Sequence, residues 1–197
     1  LGVIPSGLSD PSDRVAHTQE IADALNYLLP RIDGGVLMLF TSHWSLQTVA
    51  GLLKKKKLDQ QVTILVQGTK PKSRIIEEFK ASFESKQRAL ILATSSFWQG
   101  VDIPGQALSV VGIDKLPFPR PDDPILWFMD ESGRNTFWEY SLPKAVIAMK
   151  QGVGRLIRSE KDYGSVIFFD NRIETKGYGG QFKAALPSGC FMTDNIE

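Results

Sequence analysis

The run Gln151–Arg158, QGVGRLIR, sets two arginines at i and i+3, a glutamine four residues before the first of them, and glycines at 152 and 154. On a helix, Gln151, Arg155 and Arg158 would share one face. A guanidinium is a rigid fork of donors that keeps its charge in a dry site, so this trio suits phosphate oxygens. Each glycine inside a helix costs about 1 kcal/mol relative to alanine. Close backbone approach to a ligand or a facing body would account for that cost. The competing reading is a pair of surface arginines near a helix C-terminus, where cations complement the macrodipole.

A second constellation is ATSSFWQGVDIPG, residues 93–105. Thr94, Ser95 and Ser96 supply three hydroxyls beside a run of backbone amides, a set suited to gripping a sugar-phosphate backbone without reading bases. Gly100 relieves the turn, Asp102 offers a carboxylate, and Pro104–Gly105 forces an exit turn. Alternatively this is a loop whose Phe97 and Trp98 fill core. After an earlier apolar run, TSHW brings Thr41 and Ser42, with His43 and Trp44 open either to a nucleobase or to half-buried packing. Lys54–Lys57 reads as a solvated last helical turn, the competing reading being a cluster that attracts a nucleic-acid backbone. His17 and His43 are too isolated in sequence for a metal or catalytic pair. The apolar ILWFMDES imitates a strand ending in metal-binding acids, but it follows PDDP, which suits a helix start, so Asp130 and Glu131 are placed on the solvent side of a helix. No G-x-x-x-x-G-K-[ST] occurs, so the chain has no phosphate-cradling P-loop of its own.

The elements that must hold these residues alternate along the chain. VAHTQEIADALNYLLP places Ile21, Leu25, Leu28 and Leu29 on one helical face and stops at Pro30. Gly34–Gly35 then introduces VLMLF, a continuous apolar run of the kind a strand buried on both faces requires. TSHWSLQTVAGLL predicts a helix capped by Thr41 or Ser42, with Leu46, Val49 and Leu53 buried. VTILVQ, ALILAT, ALSVVGID and SVIFFD read as further strands, KPKSRIIEEFKASFES as a helix, and Asp123–Arg158 as a mostly helical insertion entered through LPFPRPDDP. This alternation predicts an α/β fold with a parallel sheet covered by helices on both faces. In such folds the working residues collect where strands end at their carboxyl side, here TSHW, QGTKPKS, ATSSFWQGVDIPG and DNR.

Composition narrows the class. The 197 residues suit one domain, and 42% hydrophobic with 23% charged residues is ordinary for a globular chain. A net charge of +1 means that any nucleic-acid contact must come from a local patch. One cysteine, Cys190, excludes an internal disulfide framework or a Cys-rich metal site and suggests a reducing, cytoplasmic setting. No apolar run approaches a membrane span, so no membrane partner is expected. A sequence opening on Leu1 is expected to be a segment of a longer protein.

The order of motifs adds a resemblance. A strand ending in Thr41–Ser42, then ATSSFWQGVDIPG, then LPFPRPDDP, then QGVGRLIRSEKDYGSVIFFDNR resembles motifs IV, V and VI of the second motor lobe of superfamily 2 DNA helicases. Within them it is similar to the XPD/DinG group, above all its bacterial DinG/YoaA type, over about Val36 to Arg172. The resemblance implies a RecA-like parallel sheet, a P-loop NTPase-like fold lacking its own P-loop. It also implies one lobe over residues 1–197, with 1–30 as a lead-in helix and 175–197 as a tail that packs as a short helix or docks a partner. Arg155 and Arg158 would then be arginine fingers, with Gln151 coupling the nucleotide to lobe closure. Gly100, Asp102 and Gly154 would face the ATP cleft, and Thr41, Ser42, Thr94 and Ser95 the DNA backbone. ATP and magnesium would be bound mainly by the first motor lobe of the same polypeptide, where the family's four-cysteine iron-sulfur cluster also lies. Single-stranded DNA and a replication or repair protein are the implied partners, and 5′ to 3′ the implied direction. A non-catalytic α/β module binding a protein or nucleic acid is the competing reading.

Overall fold

The computed structural model describes residues 1–94, 97, 107–154, 164–187, 190 and 192–194. Its strands are β1 (Gly2–Val3), β2 (Gly35–Phe40), β3 (Thr63–Val66), β4 (Ala89–Thr94), β5 (Leu108–Ile113), β6 (Ser165–Phe168) and β7 (Met192–Thr193). They form one sheet in the order β3-β4-β2-β5-β6-β1-β7, and every pairing is parallel. Parallel neighbours need crossovers, supplied by α1 (Arg14–Leu28), α2 (His43–Lys55), α3 (Lys72–Glu84), α4 (Pro124–Glu131) and α5 (Leu142–Val153). The short α6 (Arg172–Thr175) and α7 (Gly179–Ala184) lie between β6 and β7.

The two-residue period of the central strands divides the core into two layers. Val36, Met38 and Phe40 of β2 meet Ile21, Leu25, Leu46 and Val49 of α1 and α2. Leu37 and Leu39 face the other way, onto the layer that holds Phe79 of α3, Leu142 and Met149 of α5 and Phe182 of α7. Each large side chain so buried contributes about 1.5–3 kcal/mol, and β2 and β4 are buried at every position. This is the predicted RecA-like sheet with helices on both faces.

At Gly35, where the β2–β5 register shifts, a Cβ would lie 2.1 Å from the Phe79 ring and 2.8 Å from the Ala107 carbonyl oxygen. Glycine there lets Phe79 seal the bottom of its layer. Beyond the expected lead-in helix, the first residues contribute β1, which pairs with both β6 and β7. The tail forms the short helix α7 and then β7. The insertion is helical as expected, but in three pieces: α4, a five-residue π-helical turn at Phe137–Ser141, and α5.

Candidate functional site

All strands being parallel, their carboxyl ends lie along one edge. Register fixes the row: Thr94 pairs with Phe40, so Thr41 follows beside it. Gln67 N–H donates to the Leu92 carbonyl, Asp114 N–H to Leu39 and Phe169 N–H to Ile113. Gln67, Thr94, Thr41, Asp114 and Asp170 therefore stand at successive strand ends.

Each is held in place. The Gln67 side-chain oxygen accepts from Thr94 N–H at 2.7 Å and from its hydroxyl at 3.1 Å. Ser42 is the N-cap of α2, accepting from Ser45 N–H at 3.1 Å. Thr41 N–H donates to Asp114 Oδ1 at 2.9 Å, and the Thr41 hydroxyl to Oδ2 at 3.2 Å. Thr41 itself is exposed, Ser42 half-buried and Thr94 buried. The three described hydroxyl candidates thus share one edge.

Two carboxylates behind that edge are fully buried. Asp114 is 0% exposed, and its Oδ1 also accepts from Lys115 N–H at 2.6 Å. Burial pushes its carboxyl up to about 7, against the opposing pull of the N–H groups of Lys115 and Thr41. Asp170 accepts from Leu116 N–H at 2.8 Å and pairs in a fork with Arg172, the shortest contact being 2.6 Å. That pairing raises the Arg172 pKa further. His17 Nε2 lies 3.0 Å from the Asp114 carbonyl oxygen, and burial holds the imidazole below its ordinary range, so it is neutral and donates through Nε2. Its Nδ1 is buried without a partner among the described residues. The Lys115 ammonium, lowered by burial, is turned onto the Pro11 carbonyl.

Gln151 and Gly154 belong elsewhere. α5 is entered from the carboxyl side of β5 and leads, through residues 155–163, to the amino end of β6. Gln151 is exposed in its last turn, and Gly154 ends it, donating its N–H to the Lys150 carbonyl at 2.9 Å. Gly152 is buried within the lobe itself. The helix expected to continue toward the arginines therefore stops at Val153. Arg155, Arg158, Ser95, Gly100 and Asp102 lie outside the described residues.

Several readings of the sequence can be placed. Phe97 is core, 2% exposed, with the Lys72 ammonium 5.1 Å from its ring centroid. Asp130 and Glu131 are exposed at the end of α4, and Asp123 caps that helix. Lys54 and Lys55 finish α2, and Lys56 pairs with Asp23. Trp44 stays 43% exposed beneath the Arg14 guanidinium, 4.1 Å from its centroid, while His43 is exposed. The sequence singles out neither Asp114 nor Lys115 and sets His17 aside as isolated, although DNR marks Asp170 and Arg172. The available signal for Asp114 was a lone acid directly after an apolar strand. Among the described residues no group of three or more His, Cys, Asp or Glu side chains could share a metal ion, and no helix is long and apolar enough to cross a membrane.

A parallel sheet with a polar, internally braced carboxyl edge and no P-loop defines a RecA-like lobe, and the family profile described as the helicase C-terminal domain matches residues 25–189. The chain belongs to that family. It is 40% identical over 173 residues to the ATP-dependent DNA helicase YoaA of Escherichia coli (strain K12), covering 86% of this chain and 26% of that protein. It is 41% identical over 168 residues to the 3'-5' exonuclease DinG of Bacillus subtilis (strain 168), covering 81% and 18%. The chain therefore spans about a quarter or less of these relatives. The fold also matches a solved XPD helicase with a TM-score of 0.70 at 18% identity, over 98% of this chain and 34% of that one.

Proposed function

We propose that this chain is the second motor lobe of an ATP-dependent DNA helicase, working on ATP held by a P-loop lobe elsewhere in the same polypeptide. The observation that carries the reading is the helicase C-terminal domain match over residues 25–189, which takes in every candidate site residue. The names of the relatives, ATP-dependent DNA helicase among them, point the same way.

In this reading Arg155 and Arg158 reach the γ-phosphate across the cleft. Finger arginines stabilise charge on the transferring phosphoryl group, commonly by a factor of about 10³ to 10⁵. Gln151 couples the nucleotide to lobe closure, while Gly100, Asp102 and Gly154 line the cleft. Magnesium accompanies ATP on the first lobe, which also carries any iron-sulfur cluster. Thr41, Ser42, Thr94 and Ser95 hold the backbone of single-stranded DNA at the carboxyl edge, contacts that position the strand without reading sequence. Hydrolysis releases the arginine contact and lets the lobes part, so the grip on DNA advances, in the 5′ to 3′ direction, during repair or replication. The separation of the α5 exit from the strand-end row supports two working surfaces on one lobe.

The test compares the intact protein with this chain alone. The intact protein hydrolyses ATP when single-stranded DNA is present, whereas the chain alone neither binds ATP tightly nor turns it over. Appreciable turnover by the chain alone would overturn the division of labour.

A further inference from the structure

Among the described residues, Asp114 is a fully buried acid whose carboxylate is bonded to Thr41, one of the groups assigned above to DNA. Oδ1 already accepts two backbone N–H groups, from Thr41 at 2.9 Å and Lys115 at 2.6 Å. It must remain an acceptor. Oδ2 has one described partner, the Thr41 hydroxyl at 3.2 Å. A proton taken up by this carboxyl therefore goes to Oδ2, where it points at the Thr41 oxygen.

A hydroxyl has one hydrogen to give and can accept in return. While Asp114 is ionised, the Thr41 hydrogen is directed inward to Oδ2. Once Asp114 is protonated, Oδ2–H donates to the Thr41 oxygen, and the Thr41 hydrogen turns to solvent. Thr41 is exposed at the carboxyl edge, so that hydrogen is then free for an outside acceptor. Resting on the DNA-gripping role of this edge, we propose that Asp114 is a positioning residue for phosphate recognition: its protonation decides whether the Thr41 hydroxyl donates inward or to a DNA phosphate oxygen. Ionised Asp114 opposes the strand twice, by withholding a donor and by placing a negative charge behind it.

The surroundings favour a transition near neutrality. Burial raises the carboxyl to about 7 against the lowering pull of its hydrogen-bond donors and of the nearby Lys115 charge. Among the described residues no charged side chain bonds to it directly. Lys115 turns its ammonium to the Pro11 carbonyl, and Asp170 and Arg172 satisfy each other beyond β6. From α1, His17 offers a neutral ring to the main-chain oxygen of Asp114, not to its carboxyl, with Arg14 and Glu20 further along the same helix. Among the described residues, His43, exposed on α2, is the remaining titratable group near the turn, and it is common to all the variants below.

The test is the affinity of the full-length protein for a dye-labelled thymine oligonucleotide, without nucleotide, from about pH 6 to about pH 8.5 at fixed ionic strength. Wild type is expected to weaken by roughly tenfold across this range beyond any slope left in the variants, the scale of one hydrogen bond to a charged group. Asp114→Asn keeps the Oδ1 acceptor, and its amide donates to Thr41 as the protonated acid does. It should bind at every pH as tightly as wild type does at the acid end. Thr41→Val should bind more weakly at the acid end and keep only the smaller part of the slope that the Asp114 charge contributes, and serves as the reading if Asp114→Asn does not fold. A pH slope in Asp114→Asn or Thr41→Val equal to that of wild type would overturn the proposal. Failure of wild type to bind the oligonucleotide at any pH would remove the DNA-gripping role of this edge, and this inference with it.

Discussion

Two buried acids one strand apart are handled in opposite ways. Asp170 is matched by the Arg172 fork, whereas Asp114 has only neutral donors in direct contact and burial pushes its carboxyl up to about 7. Removing the charge of Arg172 while keeping a stem, as in Arg172→Met, leaves Asp170 buried and unpaired. The expected loss is about 3–5 kcal/mol of stability in urea unfolding. A loss within about 0.5 kcal/mol, as at an ordinary surface site, would contradict the pairing. Asp114 makes stability depend on pH with a definite sign. Its folded pKa is raised, so between its ordinary value of 3.8 and about 7 the folded state binds the extra proton. Its contribution is complete below that window and is lost as pH rises through about 7. Asp114→Asn should therefore gain on wild type in unfolding midpoint between pH 5 and pH 8, and a constant difference would refute the assignment. The sequence marks Asp170 only as a strand-end residue and gives neither acid its partners, because Asp114 meets Thr41 only across 73 residues and Asp170 meets Leu116 across 54.

At the scale of elements, what was local in the sequence was readable. The apolar run of β2, the Ser42 cap and the Leu46, Val49 and Leu53 stripe of α2 depend on neighbours within a turn or a strand, and the structure has all three. β1 and β7 were not readable, since two residues carry no periodicity and their partners lie at the opposite end of the chain. The C-terminal limit of α5 was likewise hidden: apolar spacing runs past Gly154 into LIR, whereas the hydrogen-bonded helix closes at Gly154. Ser42→Ala removes the acceptor for Ser45 N–H and should cost about 1 kcal/mol, seen as a lower midpoint in urea. Gly35→Ala should cost more, about 1–3 kcal/mol, because a ring and a backbone carbonyl both stand where its methyl would go. An unchanged midpoint in Gly35→Ala would mean that α3 is not seated on β2 as described.

At the scale of the molecule, the strand-end row and the exit of α5 are separate features of one lobe. The strand-end row offers hydroxyls and backbone groups, and the exit of α5 leads directly into the paired arginines. In the proposed function a lobe that closes on nucleotide carries the strand-end row with it, because that row is fixed to the sheet. The central claim is that the arginines act on a nucleotide that this chain does not itself hold. It is tested most directly by DNA-stimulated ATPase of the full-length protein, wild type against Arg158→Ala, with single-stranded DNA binding followed in parallel. The account predicts a loss of hydrolysis of at least about 10³-fold with DNA binding retained. Unchanged hydrolysis would make Arg158 a surface charge and would leave the lobe a binding module.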